Sequence, residues 1–269
     1  MRYIKIMLVA LLVVVGALYA SNEMNRRLSG VEVPPTIRCD SDVIEVSVKD
    51  EDAALLTGVT ASDEQDGDLT AGVRVQGISK LITDNTAKVT YIVFDSHGNA
   101  ASCSRTLRYT DYTKPHFTIE SPLVYSENEE IQLLDRLSAS DSVDGDLTKA
   151  IRVSNLSATS DPDVRMVTVQ VTNSMGDTTR LDLPIVIHTG VVVRPDVYLK
   201  EYLIYIDQGS KFNPDRYLDS VDTPIGPGDT DDVKIQGSVD TDMPGVYYVY
   251  YRYPYSVTSG LSVLTVVVR

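Results

Sequence analysis

The chain has 269 residues, a formal net charge of −14, two cysteines, no tryptophan and sixteen tyrosines. This length fits two or three domains of about 100–150 residues each, and the ordinary apolar content excludes a disordered or collagen-like chain. The acidity argues against nucleic acid as a partner, because a protein that neutralises phosphates needs a basic face.

The N-terminal segment has the pattern of a membrane anchor. A basic start, MRYIK, precedes an apolar run from Ile6 to Ala20, and the polar stretch SNEMNRR follows. The run is shorter than the about 20 residues that cross a bilayer core, but the aliphatic stem of Lys5 extends it. Cleavage after Ala20, the secretory alternative, places Leu18 where a small residue is preferred. We therefore expect residues 1–27 to form a short cytoplasmic tail and an uncleaved transmembrane signal-anchor.

Beyond the anchor, the sequence repeats itself. ASDEQDGDLT, Ala61–Thr70, returns as ASDSVDGDLT, Ala139–Thr148, and the alignment at this offset needs no gap from Leu55 to Asp177. At about twice that offset, VRVQG of Val73–Gly77 returns as VKIQG of Val233–Gly237. Such spacing indicates duplication rather than chance composition. The predicted domains are residues 33–110, 111–190 and 191–269.

Each repeat has the pattern of short strands. VIEVSVK, Val43–Lys49, alternates apolar and polar residues, as a strand with one wet face does. The stretch KVTYIVFDSHGNAASCSRTLRY predicts two strands around a Gly-Asn turn. The clearest helical signal is only one turn long, with Asn213 as cap and Pro214 at its first position. The predicted fold is therefore all-β, with three tandem antiparallel β-sandwiches behind one transmembrane helix.

The motif ASDxxDGDLTxxVRVxG, followed by a strand, DSxGN and a closing strand, resembles the bacterial immunoglobulin-like domain family first described from an insecticidal crystal toxin. The third repeat matches through GSKFNPDRYLDSV, VKIQGSVDTDMPGVYYVYY and LSVLTVVV, but lacks the D-G-D turn and has YPYSVTSG in place of DSxGN. The resemblance covers roughly Val33–Arg269. It implies Ig-like sandwiches and an extracytoplasmic setting, and it implies no reaction, because such modules serve as spacers and binding units.

The aspartate-rich turns fit two interpretations. Asp63, Asp66 and Asp68 offer about half of the six to eight oxygens that calcium requires, but their spacing is not that of an EF-hand. Alternatively, the carboxylates bond their own backbone in a turn in which glycine supplies positive φ. The third repeat keeps turn-forming residues in TPIGPGDT, Thr223–Thr230, without the three aspartates. We therefore predict turns, and neither a metal nor a cofactor.

The two cysteines are a candidate disulfide. Cys39 lies in the first predicted strand of repeat one and Cys103 in its last, and both are predicted to point inward. Outside the cytoplasm such a pair can bridge and stabilise by about 3–4 kcal/mol. Two reduced cysteines that pack as small apolar side chains are the equal alternative.

A tyrosine-rich strand is a candidate binding surface. VYYVYYRYPY, Val246–Tyr255, presents tyrosines on both faces of a predicted strand. One face belongs to the core, and the other is able to stack on sugars or anchor a protein. Tyrosine is also an ordinary strand residue, so a structural role is the alternative. The candidate residues are Tyr247, Tyr248, Tyr250, Tyr251, Tyr253 and Tyr255.

The sequence predicts no enzyme, because it contains no G-x-S-x-G motif and no Gly-rich phosphate loop after a strand. The predicted function is a non-enzymatic, single-pass cell-surface array that acts as an envelope spacer or presentation scaffold. The alternative is an adhesin, or a glycan- or protein-binding protein, with its surface in the third domain. The expected partners are the membrane and an envelope polysaccharide or surface protein.

The linkers predict how the repeats are arranged. Each is short and carries one proline, Pro115 or Pro195, which favours an extended neighbour. Acidic surfaces disfavour packing one repeat against another, since like charges would meet. We therefore expect the sandwiches to lie end to end, with the third repeat and its tyrosine strand at the tip farthest from the membrane.

Overall fold

The computed structural model describes residues 13–21, 33–83, 85–190 and 193–269. Its contacts divide the chain into two compact units. The N-terminal unit holds the described residues up to Val46 together with Asp50–Arg108, and the C-terminal unit holds Ser47–Lys49 and Tyr109–Arg269. Most of the first predicted repeat thus forms one unit, whereas the second and third share the other.

The first repeat is built from two sheets. Its strands are β1 (Thr36–Cys39), β2 (Val43–Val46), β3 (Val59–Asp63), β4 (Gly67–Asp68), β5 (Arg74–Ile78), β6 (Thr86–Phe94) and β7 (Ala100–Tyr109). The smaller sheet has the order β1-β3-β4 and the larger sheet has the order β2-β7-β6-β5. A short α-helix spans Asp52–Leu55, and a 3-10 turn spans Thr70–Gly72.

The second repeat has the same plan. Its strands are β8 (His116–Ile119), β9 (Val124–Ser126), β10 (Leu137–Asp141), β11 (Gly145–Asp146), β12 (Arg152–Ala158), β13 (Val164–Thr172) and β14 (Thr178–His188). The smaller sheet is ordered β11-β10-β8 and the larger sheet β12-β13-β14-β9. Two 3-10 turns span Leu133–Asp135 and Thr148–Ala150.

The third repeat follows the plan again. Its strands are β15 (Asp196–Leu199), β16 (Leu203–Ile206), β17 (Leu218–Thr223), β18 (Gly226–Pro227), β19 (Lys234–Gln236), β20 (Gly245–Tyr255) and β21 (Thr258–Val268). The smaller sheet is ordered β15-β17-β18 and the larger sheet β16-β21-β20-β19. Its 3-10 turns span Pro214–Tyr217 and Thr230–Asp232, and the Asn213 side chain caps the first of them, as predicted.

Strand pairing confirms the repeat alignment residue by residue. The same pair in the larger sheet recurs at the offsets found in the sequence: Val75 with Tyr91, Val153 with Val169, and Ile235 with Tyr251. Equivalent positions can therefore be compared directly among the three sandwiches. The chain is a mostly β protein built of repeated β-sandwiches.

Two details of the strand prediction are corrected by the structure. The sheets are not purely antiparallel, because β9 pairs parallel with β14 and β16 pairs parallel with β21. In addition, β2 ends at Val46 rather than at Lys49. The Asp111 carboxylate accepts hydrogen bonds from the Ser47 hydroxyl, at 2.6 Å, and from the Val48 amide, at 2.8 Å. These hydrogen bonds hold Ser47 and Val48, which lie outside the sheet.

The predicted anchor lies partly outside the described residues. Of Ile6–Ala20, residues 6–12 are not described, and residues 13–20 are helical and exposed. Within the described ranges, no helix has the length and apolar character needed to cross a bilayer. The anchor stays a prediction.

Strands β14 and β21 are buried on both faces. The strand β7 of the first sandwich alternates exposed and buried positions towards its end, whereas Leu183–Val186 in β14 and 260–266 in β21 are buried without interruption. Alternate side chains of a strand point to opposite faces, so such a run requires cover on both sides. One side is the core of each sandwich. The other side is the neighbouring sandwich.

The outer faces of the two larger sheets form a shared apolar layer in the C-terminal unit. Val164 and Val186 of the second sandwich pack against Leu261 and Val263 of the third, and all four are buried. The Tyr205 hydroxyl also donates to the Phe117 carbonyl of β8 and accepts from its amide. The expectation of an end-to-end arrangement is therefore wrong for the second and third sandwiches, which pack side against side.

Candidate functional site

The aspartate turns are held by their own carboxylates. In the first sandwich, Asp63 Oδ1 accepts the Gln65 amide at 2.8 Å and the Asp66 amide at 3.0 Å, while Gly67 adopts φ +74°. Asp68 Oδ1 accepts the Thr70 amide at 2.9 Å. The bonds to Thr70 lower the pKa of Asp68. The side chains thus bond their own backbone, as the turn interpretation predicts.

The middle aspartate joins two loops, an arrangement we call the latch. Asp66 accepts the Ser96 amide at 2.7 Å and the Ser96 hydroxyl at 2.9 Å. In the second sandwich, Asp144 accepts the Ser174 amide and hydroxyl, both at 2.7 Å. The latch fixes the D-G-D turn against the hairpin turn that joins the two long strands of the larger sheet. Sequence inspection found the aspartates but not the serine partners, which are distant along the chain.

Among the described residues of the third sandwich, no side chain forms an equivalent latch. Gly226 pairs with Thr223 as Gly67 pairs with Asp63, so this turn is one residue shorter and contains no aspartate. Asp229 caps the following 3-10 turn through the Asp231 amide at 3.0 Å. Across the described ranges, no group of three or more His, Cys, Asp and Glu side chains is placed to hold a metal ion. The geometry of the aspartates supports the structural interpretation.

We expect Asp144→Ala to lower the free energy of unfolding of the C-terminal unit by about 1–2 kcal/mol, because two charge-assisted hydrogen bonds are lost at an exposed site. Hydrogen exchange of the Ser174 amide should become faster. The Ser96 amide is the matched control, because its own latch is intact. A rise of several degrees in melting temperature with millimolar calcium, abolished by Asp144→Ala, would contradict the turn interpretation.

The cysteines meet inside the first sandwich. Cys39 Sγ lies 2.6 Å from Cys103 Sγ, and both cysteines are free. They belong to different sheets, β1 and β7, so contact between them links the two layers rather than two neighbouring strands. Burial raises the pKa of the Cys103 thiol to about 12. The structure brings the pair together as predicted, and the bond itself stays a prediction.

A buried arginine lies next to the cysteine pair. Arg105 donates from Nε to the Tyr91 hydroxyl at 3.0 Å and from Nη2 to the Leu55 carbonyl at 3.0 Å and the Thr57 carbonyl at 2.5 Å. Its side chain is 1% exposed, and its ion-pair partner is Asp40 at 3.4 Å. A buried guanidinium needs such partners to offset its desolvation. Sequence inspection missed this cluster, because a single arginine in an alternating strand gives no signal of burial.

We expect the chain isolated from an oxidising compartment to lack two hydrogen atoms in mass relative to the reduced chain. Reduction, or Cys103→Ser, should then destabilise the first sandwich by about 3–4 kcal/mol, since the bridge closes a long loop. Hydrogen exchange at Val89 measures this, and Val167 of the second sandwich is the control that should not change. Two titratable thiols in the non-reduced chain would show that the pair is not bridged.

The tyrosine strand does not form a single exposed face. Tyr251 and Tyr253 are buried in the core of the third sandwich, so they cannot contribute to an exposed binding surface. Tyr247 and Tyr255 are half-buried against the same core. A binding role for the half-buried tyrosines stays a prediction.

The other face of this strand packs on the second sandwich. Tyr248 and Tyr250 join the shared apolar layer, and the Tyr248 hydroxyl donates to the Asp182 carbonyl at 2.8 Å. Burial raises the pKa of Tyr248 to about 12. Next to them, the Arg252 guanidinium pairs with Asp161 at 2.6 Å. This face holds the two sandwiches together.

A polar cavity of 290 Å³ lies between the second and third sandwiches. Arg136 covers the Tyr125 ring at 4.4 Å and donates to the Pro122 and Val124 carbonyls at 2.7 Å. Burial lowers the pKa of His188, and Arg194 adds to this effect. Arg136 thus stabilises the position of β9 at the rim of this cavity.

An apolar groove of 490 Å³ opens at the side of the second sandwich. Its floor includes Val167 and Ile185 from the larger sheet and Leu133 from the 3-10 turn. The exposed polar residues Gln132 and Asp135 also line it. Its apolar rim side chains are 38% to 56% exposed. They are Ile131, Leu134, Val153 and Leu156. Concave apolar sites of about 300–1,000 Å³ are typical of binding sites, so this groove is the strongest candidate.

Sequence inspection missed the groove. Val153 and Leu156 lie on β12, an edge strand, where a β-bulge and the positive φ of Asn155, 52°, place both side chains on the groove side. A bulge of this kind changes which residues share a face, and the alternation rule does not predict it. The closely spaced apolar residues Ile131, Leu133 and Leu134 next to an acidic stretch were the available signal.

Comparison with known proteins gives only distant similarity. No family model matches the chain, and no curated protein matches it in sequence. A solved structure of CBM51-2 in complex with GlcNAc and INT domains from Clostridium perfringens ZmpB is 21% identical, over 55% of this chain and 26% of that chain, with a TM-score of 0.24. The lipoprotein BT2262 from Bacteroides thetaiotaomicron is 13% identical, over 86% of this chain and 98% of that chain, with a TM-score of 0.22.

Protocadherin gamma B7 extracellular cadherin domains 1–4 are 11% identical, over 88% of this chain and 77% of that chain, with a TM-score of 0.22. The chain spans 26% and 30% of the two ZmpB structures that it matches. At these TM-scores the similarities carry no argument about function.

Proposed function

We propose that the chain is a non-enzymatic, membrane-anchored array of bacterial immunoglobulin-like sandwiches that acts as an envelope spacer or presentation scaffold. The observation that carries the proposal is the junction in the C-terminal unit, where two sandwiches bury the outer faces of their larger sheets against each other. A shared apolar layer favours a stiff block, which is what a scaffold needs. The latches of the first two sandwiches serve the same purpose, since their carboxylates fasten loops.

The proposed setting is the extracytoplasmic side of a cell membrane. The basic start and the apolar run of Ile6–Ala20 support it, because together they have the pattern of a signal-anchor. The cysteine pair also supports it, since disulfides form and persist mainly outside the cytoplasm.

The second candidate is a binding protein whose ligand is an envelope polysaccharide or a surface protein. The sequence assigned its surface to the tyrosine strand of the third domain. The apolar groove of the second sandwich supports a protein ligand better, because its lining is mostly apolar and partly solvent-exposed while Tyr248 and Tyr250 are packed at the junction. A sugar ligand would need polar groups that converge on an aromatic face.

The anchor and its orientation are tested together on intact cells that express the full chain. We expect membrane fractions to yield peptides that reach N-terminal of Ser21, and an external protease to remove the sandwiches but not the first residues. Recovery of the chain from the cytosol, or from the medium with Ser21 as its first residue, would contradict the proposed anchored array.

A further inference from the structure

The loop between β12 and β13 of the second sandwich holds two arginines at the junction with the third. Asp161 pairs with Arg252 of β20 at 2.6 Å, and Asp163 pairs with Arg194, which lies just before β15, at 3.7 Å. The loop itself is ordered, since the Asp163 amide donates to Asp161 Oδ1 at 3.0 Å. The side chains of Arg194 and Asp163 are only 15% and 18% exposed, so solvent screens this pair weakly.

His188, the last residue of β14, lies next to these charges. Its carbonyl accepts the Glu127 amide at 2.9 Å, and the Glu127 carboxylate accepts the Gly190 amide at 3.2 Å. The half-buried side chain of His188 lines the polar cavity together with Pro195 and Asp196. The histidine therefore stands where the second sandwich ends and the third begins.

Two side-chain nitrogens at this point are buried without a hydrogen-bond partner. Within the described ranges, neither Nδ1 of His188 nor Nε of Arg194 forms a hydrogen bond. A neutral imidazole can leave Nδ1 unprotonated, whereas a protonated ring must donate from both of its nitrogens. A buried N–H group without an acceptor is costly, and more so when the group is charged. The neutral ring therefore fits this position better than the charged ring does.

The surrounding charges act on His188 in opposite directions. Burial lowers the pKa of His188, Arg194 and Arg252 lower it further, and Asp163 and Asp196 raise it. The lowering prevails, so the closed junction favours the neutral ring. The remaining titratable side chains that line the cavity are Tyr125, Glu129, Arg136 and Tyr198.

We propose that His188 makes the junction of the second and third sandwiches sensitive to acid, because on protonation it competes with Arg194 for Asp163 and weakens the contact between the sandwiches. The proton adds to the unprotonated nitrogen of the ring, and the new cation repels Arg194. The segment that carries Arg194 is then held less firmly against Asp163. The apolar layer is unaffected by pH, so acid makes the junction open more often and does not separate the sandwiches permanently.

Proton linkage fixes the direction of the pH effect. In an open junction His188 is hydrated and has the ordinary histidine pKa of about 6.5, whereas in the closed junction its pKa is lower. Above about pH 6.5 the ring is neutral in both states, and the junction has its full stability. Below that value only the open state takes up the proton. The opening equilibrium then rises by up to about tenfold for each pH unit, until the pKa of the closed junction is reached.

This inference goes beyond the proposed scaffold function and does not depend on it. The scaffold proposal concerns the location of the chain and its stiffness, whereas this inference concerns how one junction responds to protons. A chain recovered from the cytosol would lose the scaffold proposal and keep an acid-sensitive junction.

The test is hydrogen exchange of the Phe117 amide in the full chain between about pH 7.5 and 5, corrected for the intrinsic pH dependence of exchange. This amide donates to the Tyr205 hydroxyl of the third sandwich at 3.0 Å, so its exchange reports opening of the junction. We expect its protection to fall as the pH drops below about 6.5. The Val169 amide of the central strand β13 is the reference that should keep its protection. Ordinary carboxylates titrate at about pH 4, below this range.

Three substitutions identify the groups that respond. His188→Gln should make the protection of the Phe117 amide independent of pH in this range, since glutamine does not titrate. Arg194→Gln should reduce the pH effect, because the protonated ring then has Asp163 to itself. His97→Gln is the matched control, since His97 is exposed in a turn of the first sandwich, and it should leave the pH effect unchanged.

Three results would overturn the proposal. An imidazole signal of His188 that titrates at about pH 6.5 or above in the unmodified chain would show that the closed junction does not oppose protonation. Constant protection of the Phe117 amide over the whole range would show that opening is not linked to a proton. Equal pH dependence in the unmodified and His188→Gln chains would assign the effect to other groups. The first two results need no variant, so they decide the matter even if His188→Gln does not fold.

Discussion

The burial of strands β14 and β21 on both faces is the constraint on which the C-terminal unit depends. Four buried aliphatic side chains at the junction, each contributing about 1.5–3 kcal/mol, outweigh a partly exposed ion pair that contributes about 0–1 kcal/mol. The pair of Arg252 with Asp161 therefore orients the junction, and the apolar layer holds it. The same layer decides where the tyrosines of β20 lie, because one face of that strand must contact the second sandwich.

The three sandwiches also act as an internal comparison. The first two have the aspartate–serine latch and the third lacks it, while all three keep the same sheet order. The fold therefore does not require the latch, which fastens two loops in particular sandwiches. A buried tyrosine shows another distribution: Tyr91 and Tyr251 are equivalent by strand pairing, and the second sandwich has Val169 at that position. A feature that two copies share and one lacks identifies the position at which that copy has diverged.

Local signals in the sequence predicted local structure well. The Gly-Asn turn marked the hairpin of β6 and β7, Asn213 marked a helical cap, and Gly67 marked a turn with positive φ. What failed was non-local. The parallel pairing of β9 with β14 produces no periodic pattern in the sequence. The hydrogen bonds to Asp111 at the end of β2 come from a distant part of the chain.

The arrangement of the sandwiches was mispredicted for a physical reason. The sequence-based expectation assumed that repulsion between acidic surfaces keeps the sandwiches apart. Charges separated by more than about 8 Å, however, are largely screened at physiological salt. The near-continuous apolar run of LSVLTVVV in β21 was the signal for a strand with no wet face, in contrast to the alternating end of β7. The candidate groove was not predicted, because the β-bulge and the positive φ of Asn155 that bring Val153 and Leu156 to one side of β12 follow no alternating pattern in the sequence.

The most direct test of the junction is the measurement of residual dipolar couplings for backbone amides of the full chain. If the second and third sandwiches form one block through Val164, Val186, Leu261 and Val263, the couplings of residues 111–190 and 193–269 should fit a single alignment tensor. Val263→Asp should split them into two tensors, because a charge would then be buried in the apolar layer. Two different tensors in the unmodified chain would contradict the account.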